Sequence, residues 1–314
     1  MSKLYVIKSK YTGKEFVMDR ARLEEFCNSR GIRLNTLERA KRENRQTLTG
    51  WDLIDPSEIK SSIQTAVVVG DIHFCYEDKD SVNILYQILE DIRDEISEYI
   101  DLGDGVNNDA LSKYQSVEDK QYTLYEEIEA YRSHMLHVKD ILHEDTKYIV
   151  TEDNHFHLRK KRFLSENPAF RGLIPDLSDI FNKEIPHAQL YFPFGQDRFG
   201  CIHGVSFAKY FTRNHLDMYG RYDVICGHTH TMQSFVSSSG TINDEARRSY
   251  GIPSMCKRMS YVNGIPTRQM NGFAVITYDE NTNNYNIEYI IVEKGSAMFR
   301  GKIYNSNIIK EELV

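Results

Sequence analysis

The chain has 314 residues, 40% of them hydrophobic and 27% charged, a length that admits one large domain or a large one with a small companion. Its formal net charge of −7 excludes an all-over cationic coat for nucleic acid. The charge is uneven, however: residues 1–60 carry 13 Lys and Arg against 9 Asp and Glu, and the other 254 carry 26 against 37. A basic head on an acidic body points to a local contact with a polyanion.

In chain order, residues 4–7 and 15–18 read as short strands joined by the turn-like Tyr11-Thr12-Gly13-Lys14. Asp19 is placed to cap a helix reaching about Arg30, with Leu23, Phe26 and Cys27 on one face, and Gly31 ends it. Asn35 is placed to cap a second helix that carries Leu37, Ala40 and many cations. Thr49-Gly50-Trp51 closes this unit before Asp55-Pro56. The expected organisation is a small α+β unit over 1–56, a linker over 57–64 and a large domain over 65–314.

From Thr65 the pattern changes. Val67-Val68-Val69 reads as a buried strand, followed by a helix over Ser81 to Ile96 with apolar residues at helical spacing. Tyr99-Ile100-Asp101-Leu102 is the next strand, and a long helical stretch over roughly 109–143 follows. Strands are then expected at Tyr148-Ile149-Val150, Leu190-Tyr191-Phe192, Gly200-Cys201-Ile202, Val224-Ile225-Cys226, Phe273–Ile276 and Tyr289–Val292. Alternation early and strands in succession later predict an α/β sandwich of mixed sheets flanked by helices.

The five cysteines, Cys27, Cys75, Cys201, Cys226 and Cys256, are odd in number and widely spaced, which predicts small hydrophobes in a reducing interior. No stretch approaches the ~20 apolar residues that span a bilayer, and the N-terminus carries no leader pattern. The expectation is a soluble, cytoplasmic protein with no membrane contact.

Five short polar motifs each follow an apolar run: Asp71-Ile72-His73, Gly103-Asp104, Asn154-His155, His203-Gly204 and Gly227-His228-Thr229-His230. In α/β folds the loop beyond a strand's carboxyl end is exposed while its base is rigid, so functional groups converge there. Together the motifs supply carboxylates, an amide and imidazoles, a ligand set for two adjacent divalent metals. Mixed His/Asp/Asn coordination suits Mn²⁺, Fe or Zn²⁺ better than Ca²⁺, with Mn²⁺ the first expectation and Mg²⁺ admitted. Two such ions ~3.5–4 Å apart can lower the pKa of a shared water for in-line attack on phosphorus. Asn107 and Asn108 could touch a phosphate or merely make a turn.

On these motifs, residues 70 to 292 resemble the calcineurin-like metallophosphoesterase superfamily, which includes phosphoprotein phosphatases, cyclic-nucleotide phosphodiesterases and repair nucleases. The resemblance implies a two-sheet β-sandwich flanked by helices. It implies that Asp71, His73 and His230 hold one metal and Asn154, His203 and His228 the other, with Asp104 bridging both. It makes His155 the group that protonates the leaving oxygen or stabilises its charge. The third motif departs from the superfamily's pattern: Asp153 stands where glycine is usual, and His157 competes with His155 for the acid role.

Gly31 to Arg42 has the shape of a helix-turn-helix, and residues 15–54 resemble the small DNA-binding repeats attached to phage and homing endonucleases. Arg33, Arg39, Lys41, Arg42 and Arg45 are the candidate nucleic-acid contacts. The basic run Arg159-Lys160-Lys161-Arg162 could hold a nucleic-acid backbone, and Tyr122, Tyr125 and Tyr131 could stack on bases. His134, His137 and His143 read as packing or surface residues.

The expected function is a two-metal phosphoesterase that hydrolyses DNA phosphodiester bonds. A phage or mobile-element origin, in a bacterial host cytoplasm, fits the N-terminal unit. The alternatives are a phosphomonoesterase acting on phosphoprotein or nucleotide, and a non-catalytic DNA-binding protein.

Overall fold

The computed structural model describes residues 5–11, 15–43, 45, 49–54, 63–113, 122–176, 187–237, 246–257 and 268–306. The chain divides into two compact units, Met1–Ser62 and Ile63–Val314. Most of the expected 57–64 linker and Thr12, Gly13 and Lys14 of the first turn lie outside the described residues.

The first unit is a three-stranded antiparallel sheet, in order β2-β1-β3, with two helices. Its strands are β1 (Tyr5–Ser9), β2 (Glu15–Met18) and β3 (Trp51–Ile54). Helix α1 (Arg20–Ser29) starts where Asp19 accepts a hydrogen bond from Arg22 N at 2.9 Å. Helix α2 (Leu34–Arg42) begins at Arg33 without a side-chain cap, so Asn35 lies in its first turn and is not the cap the sequence suggested. Ile7, Leu23, Cys27, Leu37 and Leu53 form this unit's buried core.

The second unit has the fold class expected from the sequence, mixed sheets flanked by helices. A six-stranded sheet runs β13-β12-β4-β5-β6-β7 and a four-stranded one β10-β11-β9-β8. The first contains β4 (Ile63–Val69), β5 (Ile96–Asp101), β6 (Lys147–Thr151), β7 (His187–Ala188), β12 (Gly272–Asp279) and β13 (Asn284–Ile291). The second contains β8 (Phe199–Ile202), β9 (Asp223–Cys226), β10 (Gln233–Val236) and β11 (Arg248–Gly251). Ala66, Val68, Ile100 and Leu102 pack against Phe199, Cys201, Ile225 and Ile252 in one buried cluster, so the sheets face each other.

The outer face of the larger sheet is covered by α3 (Lys79–Ile92) and α4 (Leu124–Ile141). Asp78 caps α3 by accepting from Ser81 N at 2.8 Å, and a Thr123–Glu126 capping box starts α4. Ile84, Leu85, Ile88 and Leu89 bury one face of α3, and Ile128, Tyr131, Met135 and Val138 one face of α4. A short helix α5 (Arg159–Glu166) follows β6, and α6 (Phe211–Tyr219) packs on Val224 and Cys226 of the smaller sheet.

Several sequence expectations are corrected in detail. The strand expected at Leu190–Phe192 is absent: Tyr191 makes only an isolated bridge to Cys201, and Pro193 turns the chain. The ladder position goes instead to His187–Ala188, parallel to β6. The long helix expected over 109–143 is Leu124–Ile141, preceded by a single short turn at Asp109–Leu111, with 114–121 outside the described residues. β10, β11 and the hairpin β14 (Ser296–Phe299) and β15 (Lys302–Asn305) escaped the sequence reading. Each run is four residues with at most two of them buried, too little contrast for an apolar-run criterion.

His134 is a packing residue, buried between the hydroxyls of Tyr86 (2.8 Å) and Tyr99 (3.1 Å). Among the described residues no helix is long and apolar enough to cross a membrane, and the five cysteines are free thiols.

Candidate metal centre

Strands β4, β5 and β6 run parallel, as do β8 and β9, and each ends in one of the five motifs. The packed sheets therefore deliver Asp71, Asp104, Asn154, His203 and His228 to one edge. The turns that aim them are strained. Asp71, His73, Asp104, His228 and His230 all have positive φ, between 52° and 73°. Each such non-glycine conformation costs ~1–3 kcal/mol and persists only where its surroundings enforce it, which is typical of functional loops. Two glycines are needed beside them. A Cβ on Gly103 (φ +95°) would lie 2.6 Å from Asp153 Cβ, and one on Gly227 would lie 2.6 Å from Asp71 Oδ2.

The structure brings all seven candidate ligands together, with His155 among them. His73 Nε2 and His230 Nε2 are 3.2 Å apart, and His203 Nε2 lies 3.0 Å from His228 Nδ1 and 2.7 Å from Asn154 Oδ1. The single oxygen Asp104 Oδ2 lies between these groups, 3.3 Å from His203 Nε2, 3.8 Å from His73 Nε2 and 3.7 Å from His155 Nε2. Asp71 Oδ2 accepts from His228 N at 2.7 Å, while Oδ1 is buried without a hydrogen-bond partner, 3.5 Å from His230 Nε2.

Outer hydrogen bonds set the ring orientations. His203 Nδ1–H donates to Leu102 O at 2.7 Å, His73 Nδ1–H to Asn107 Oδ1 at 2.9 Å and His155 Nδ1–H to Asn107 O at 2.8 Å. In the neutral ring each Nε2 is then a lone pair turned into the cluster, the arrangement that metal-binding histidines require. At 3.0–3.2 Å the facing nitrogens of each pair need a proton or a metal ion between them.

The electrostatics agree. Burial holds His73 neutral, with its pKa down at about 3, and holds His228 at about 4. Burial also opposes a charge on His203, yet Asp104 facing it raises that pKa to about 10. The buried acids stay ionised against burial because cations face them, here the raised imidazoles of His203 and His230, a place that metal ions can take. The donor set of carboxylate, imidazole and amide, with an orphaned Asp71 oxygen, thus fits divalent metal ions.

Asp153 explains the departure in the third motif. Its backbone is extended (φ −124°), so glycine's freedom is not needed. Its Oδ1 accepts from Phe156 N and His157 N, and its Oδ2 from Asp104 N at 2.8 Å, tying the second and third motifs together. His157 Nδ1 sits against this same carboxylate at 3.3 Å, whereas His155 faces Asp104.

Residues to which the sequence reading gave another role, or none, complete the surroundings. Arg159 Nη2–H donates to His155 Nε2 at 3.1 Å and Nη1–H to Asn107 O at 2.7 Å. Cys256 Sγ, read from sequence only as a small hydrophobe, lies 3.5 Å from His230 Nδ1. Glu127 on α4 is buried and accepts from Asn108 N, and Asn108 Nδ2–H donates to His155 O. Helical spacing marks Glu127 as part of a packing face, and nothing local distinguishes it.

The basic run 159–162 does not form one cationic face. Lys160 is buried on Pro175 O and Asp176, Arg162 donates to Leu111 O, and Arg159 turns to His155, leaving Lys161 exposed. Tyr131 is buried with its hydroxyl on Asp101, so it stacks on no base. Arg33, Arg39, Lys41, Arg42 and Arg45 are exposed on or beside α2 of the first unit, with Arg39 and Arg45 both paired to Glu43.

Burial, then the charge of Asp109, pushes the Glu127 carboxyl up to about 8. An acid whose folded pKa is raised costs no stability below its unfolded value near 4.5. Its cost grows as pH climbs from there to about 8. We expect Glu127→Gln, which keeps an acceptor for Asn108 N, to lose part of the wild type's fall in melting temperature over that window. Parallel melting curves for the two proteins would contradict the assignment.

No family model matches the chain, and no curated protein matches it. Among solved structures it is similar to vacuolar protein sorting 29 from Cryptosporidium parvum, at 11% identity and TM-score 0.45, over 77% of this chain and 98% of that one. It is also similar to a predicted phosphoesterase from Streptococcus pneumoniae, at 10% identity and TM-score 0.34, over 77% and 98%. A third is the zinc complex of vacuolar protein sorting 29 from Entamoeba histolytica, at 10% identity and TM-score 0.37, over 73% and 99%.

Proposed function

We propose that this protein is a two-metal phosphoesterase that hydrolyses DNA phosphodiester bonds. The observation that carries the reading is Asp104 Oδ2, one buried carboxylate oxygen within 3.8 Å of nitrogens from both histidine pairs and of His155. A carboxylate is the natural bridge between cations. In this reading Asp71, His73 and His230 would hold one ion and Asn154, His203 and His228 the other, with Asp104 shared. When bound, two divalent ions supply Lewis acidity and an activated water for in-line displacement at phosphorus.

The chain's own residues supply the rest. His155 is held by Asn107 O and steadied by Arg159, with Nε2 toward the cluster, where it can manage the leaving oxygen's charge. Arg159, with Nη2 3.1 Å from His155 Nε2, adds a cation beside that ring for a phosphate oxygen to pair with. The exposed cations of α2 are the proposed DNA contacts, with the units taken as a DNA-binding module over 1–56 and a catalytic domain over 65–314.

Cleavage of circular and linear DNA in Mn²⁺, beside His155→Asn, tests the reading. Wild type should cut both substrates, the circle reporting endonucleolytic action, and the variant should cut neither at a comparable rate. A wild type that binds both ions yet leaves DNA intact while hydrolysing p-nitrophenyl phosphate would make it a phosphomonoesterase. Deleting residues 1–56 is expected to weaken DNA binding and flatten its salt dependence while hydrolysis of bis-p-nitrophenyl phosphate persists. Unchanged DNA affinity and salt slope would remove the module from the account.

A further inference from the structure

We infer that the loop between His203 and α6 is a stacking platform for single-stranded nucleic acid laid beside the metal centre. The inference rests on the nuclease reading and names its substrate form. Three large side chains stand in solvent within six residues: Val205 is 61% exposed, Phe207 78% and Tyr210 60%. Isolated exposed apolar residues are ordinary, but a cluster against a polar cleft marks a binding surface.

Phe207 touches the site. The Phe207 ring lies 4.1 Å, centroid to centroid, from the ring of His228, a candidate ligand. A base stacked on Phe207 would therefore bring its own phosphate to within about one nucleotide of the cluster.

The loop is held rigidly. His215 of α6 is fully buried, and its Nε2 accepts from Val205 N at 2.9 Å and Ser206 N at 3.2 Å. Ser206 Oγ accepts in turn from Asn214 Nδ2 at 3.1 Å and Ala208 N at 3.4 Å. A buried histidine and a buried serine thus fix a loop whose aromatic side chains meet no core. Preorganised aromatics of this kind lose little entropy on stacking, which suits them to ligand contact.

The occupant follows from charge and shape. Exposed Lys209, with Nζ 5.3 Å from the Tyr210 ring centroid, lies between Phe207 and Tyr210 in sequence, and exposed Arg213 follows three residues on. Arg213 lies 3.9 Å from Asp217 one turn along, with its guanidinium 5.9 Å from the Phe235 ring centroid. Cations alternating with aromatic faces, in a domain that is otherwise acidic, match a single strand's phosphates and unpaired bases. A duplex keeps its bases stacked inside and offers these rings nothing.

The test uses the full chain in metal-free buffer, where nothing is cleaved. A labelled oligothymidylate of about 12 nucleotides is compared with a duplex of equal length by fluorescence anisotropy. Phe207→Ala should weaken oligothymidylate binding about tenfold or more and duplex binding less than about twofold. Phe207→Trp should retain affinity, and its fluorescence should be quenched on binding, against the background of the single native Trp51. Equal affinity of Phe207→Ala and wild type overturns the inference, as does equal loss toward strand and duplex. No measurable oligothymidylate binding by wild type also overturns it and leaves a protein as the occupant. If Phe207→Ala loses strand affinity but wild type cuts no DNA in Mn²⁺, the nuclease reading fails and the platform stands.

Discussion

Replacing Asp104 by asparagine is expected to abolish hydrolysis of bis-p-nitrophenyl phosphate and to deplete metal at both positions. The change is nearly isosteric, and Oδ1 can still accept from His155 N, which it does at 3.1 Å in wild type. What is lost is the charge on Oδ2, the atom shared by the two histidine pairs. Burial alone would push this carboxyl's pKa up, but the facing His155 and His203 hold it well below the usual range, so wild type presents an anion at any working pH. Lewis-acid stabilisation is worth several kcal/mol, and at about 1.36 kcal/mol per decade a loss of ~4 kcal/mol is ~10³-fold in rate. Retained metal content and rate in Asp104→Asn would mean that Asp104 is not the bridge.

The second large effect belongs to His155. His155→Asn should leave metal content intact and cut turnover by ~10²–10⁴-fold, the scale of a positioned general acid. Its Nδ1–H is committed to Asn107 O, so only Nε2 faces the chemistry, and it acts as an acid once a proton replaces the hydrogen bond it accepts from Arg159. His157→Asn provides the control, because His157 sits on the Asp153 carboxylate instead. It should loosen the loop and cost far less. An equal loss in His157→Asn, with His155→Asn active, would transfer the role.

The site was legible in sequence because its residues follow apolar strands, and strand ends are where a parallel sheet collects its polar groups. Asp71, Asp104, Asn154, His203 and His228 all carry that signature. The fold class was legible for the same reason: buried runs such as Val67–Val69 and Val224–Cys226 stand out from their flanks. β10, with no buried residue, and β11, with two, have no such contrast.

What could not be read is whatever depends on contacts distant in sequence. Glu127 lies 19 residues from Asn108, and Cys256 lies 26 from His230. Arg159 looked like one of four equivalent cations until the turn after Asn154 aimed it at His155 while its neighbours faced Pro175 and Leu111. Asp153 seemed a poor replacement for glycine because the value of its carboxylate, which joins Asp104 N to the turn over Phe156 and His157, is visible only in three dimensions.

The measurement that tests the central claim most directly is the number of Mn²⁺ ions bound per chain, by calorimetric titration of metal-free protein near neutral pH. Two ions are expected, falling below two in Asp104→Asn. A wild type that binds one ion or none would contradict a two-metal centre and, with it, the phosphoesterase built on that centre.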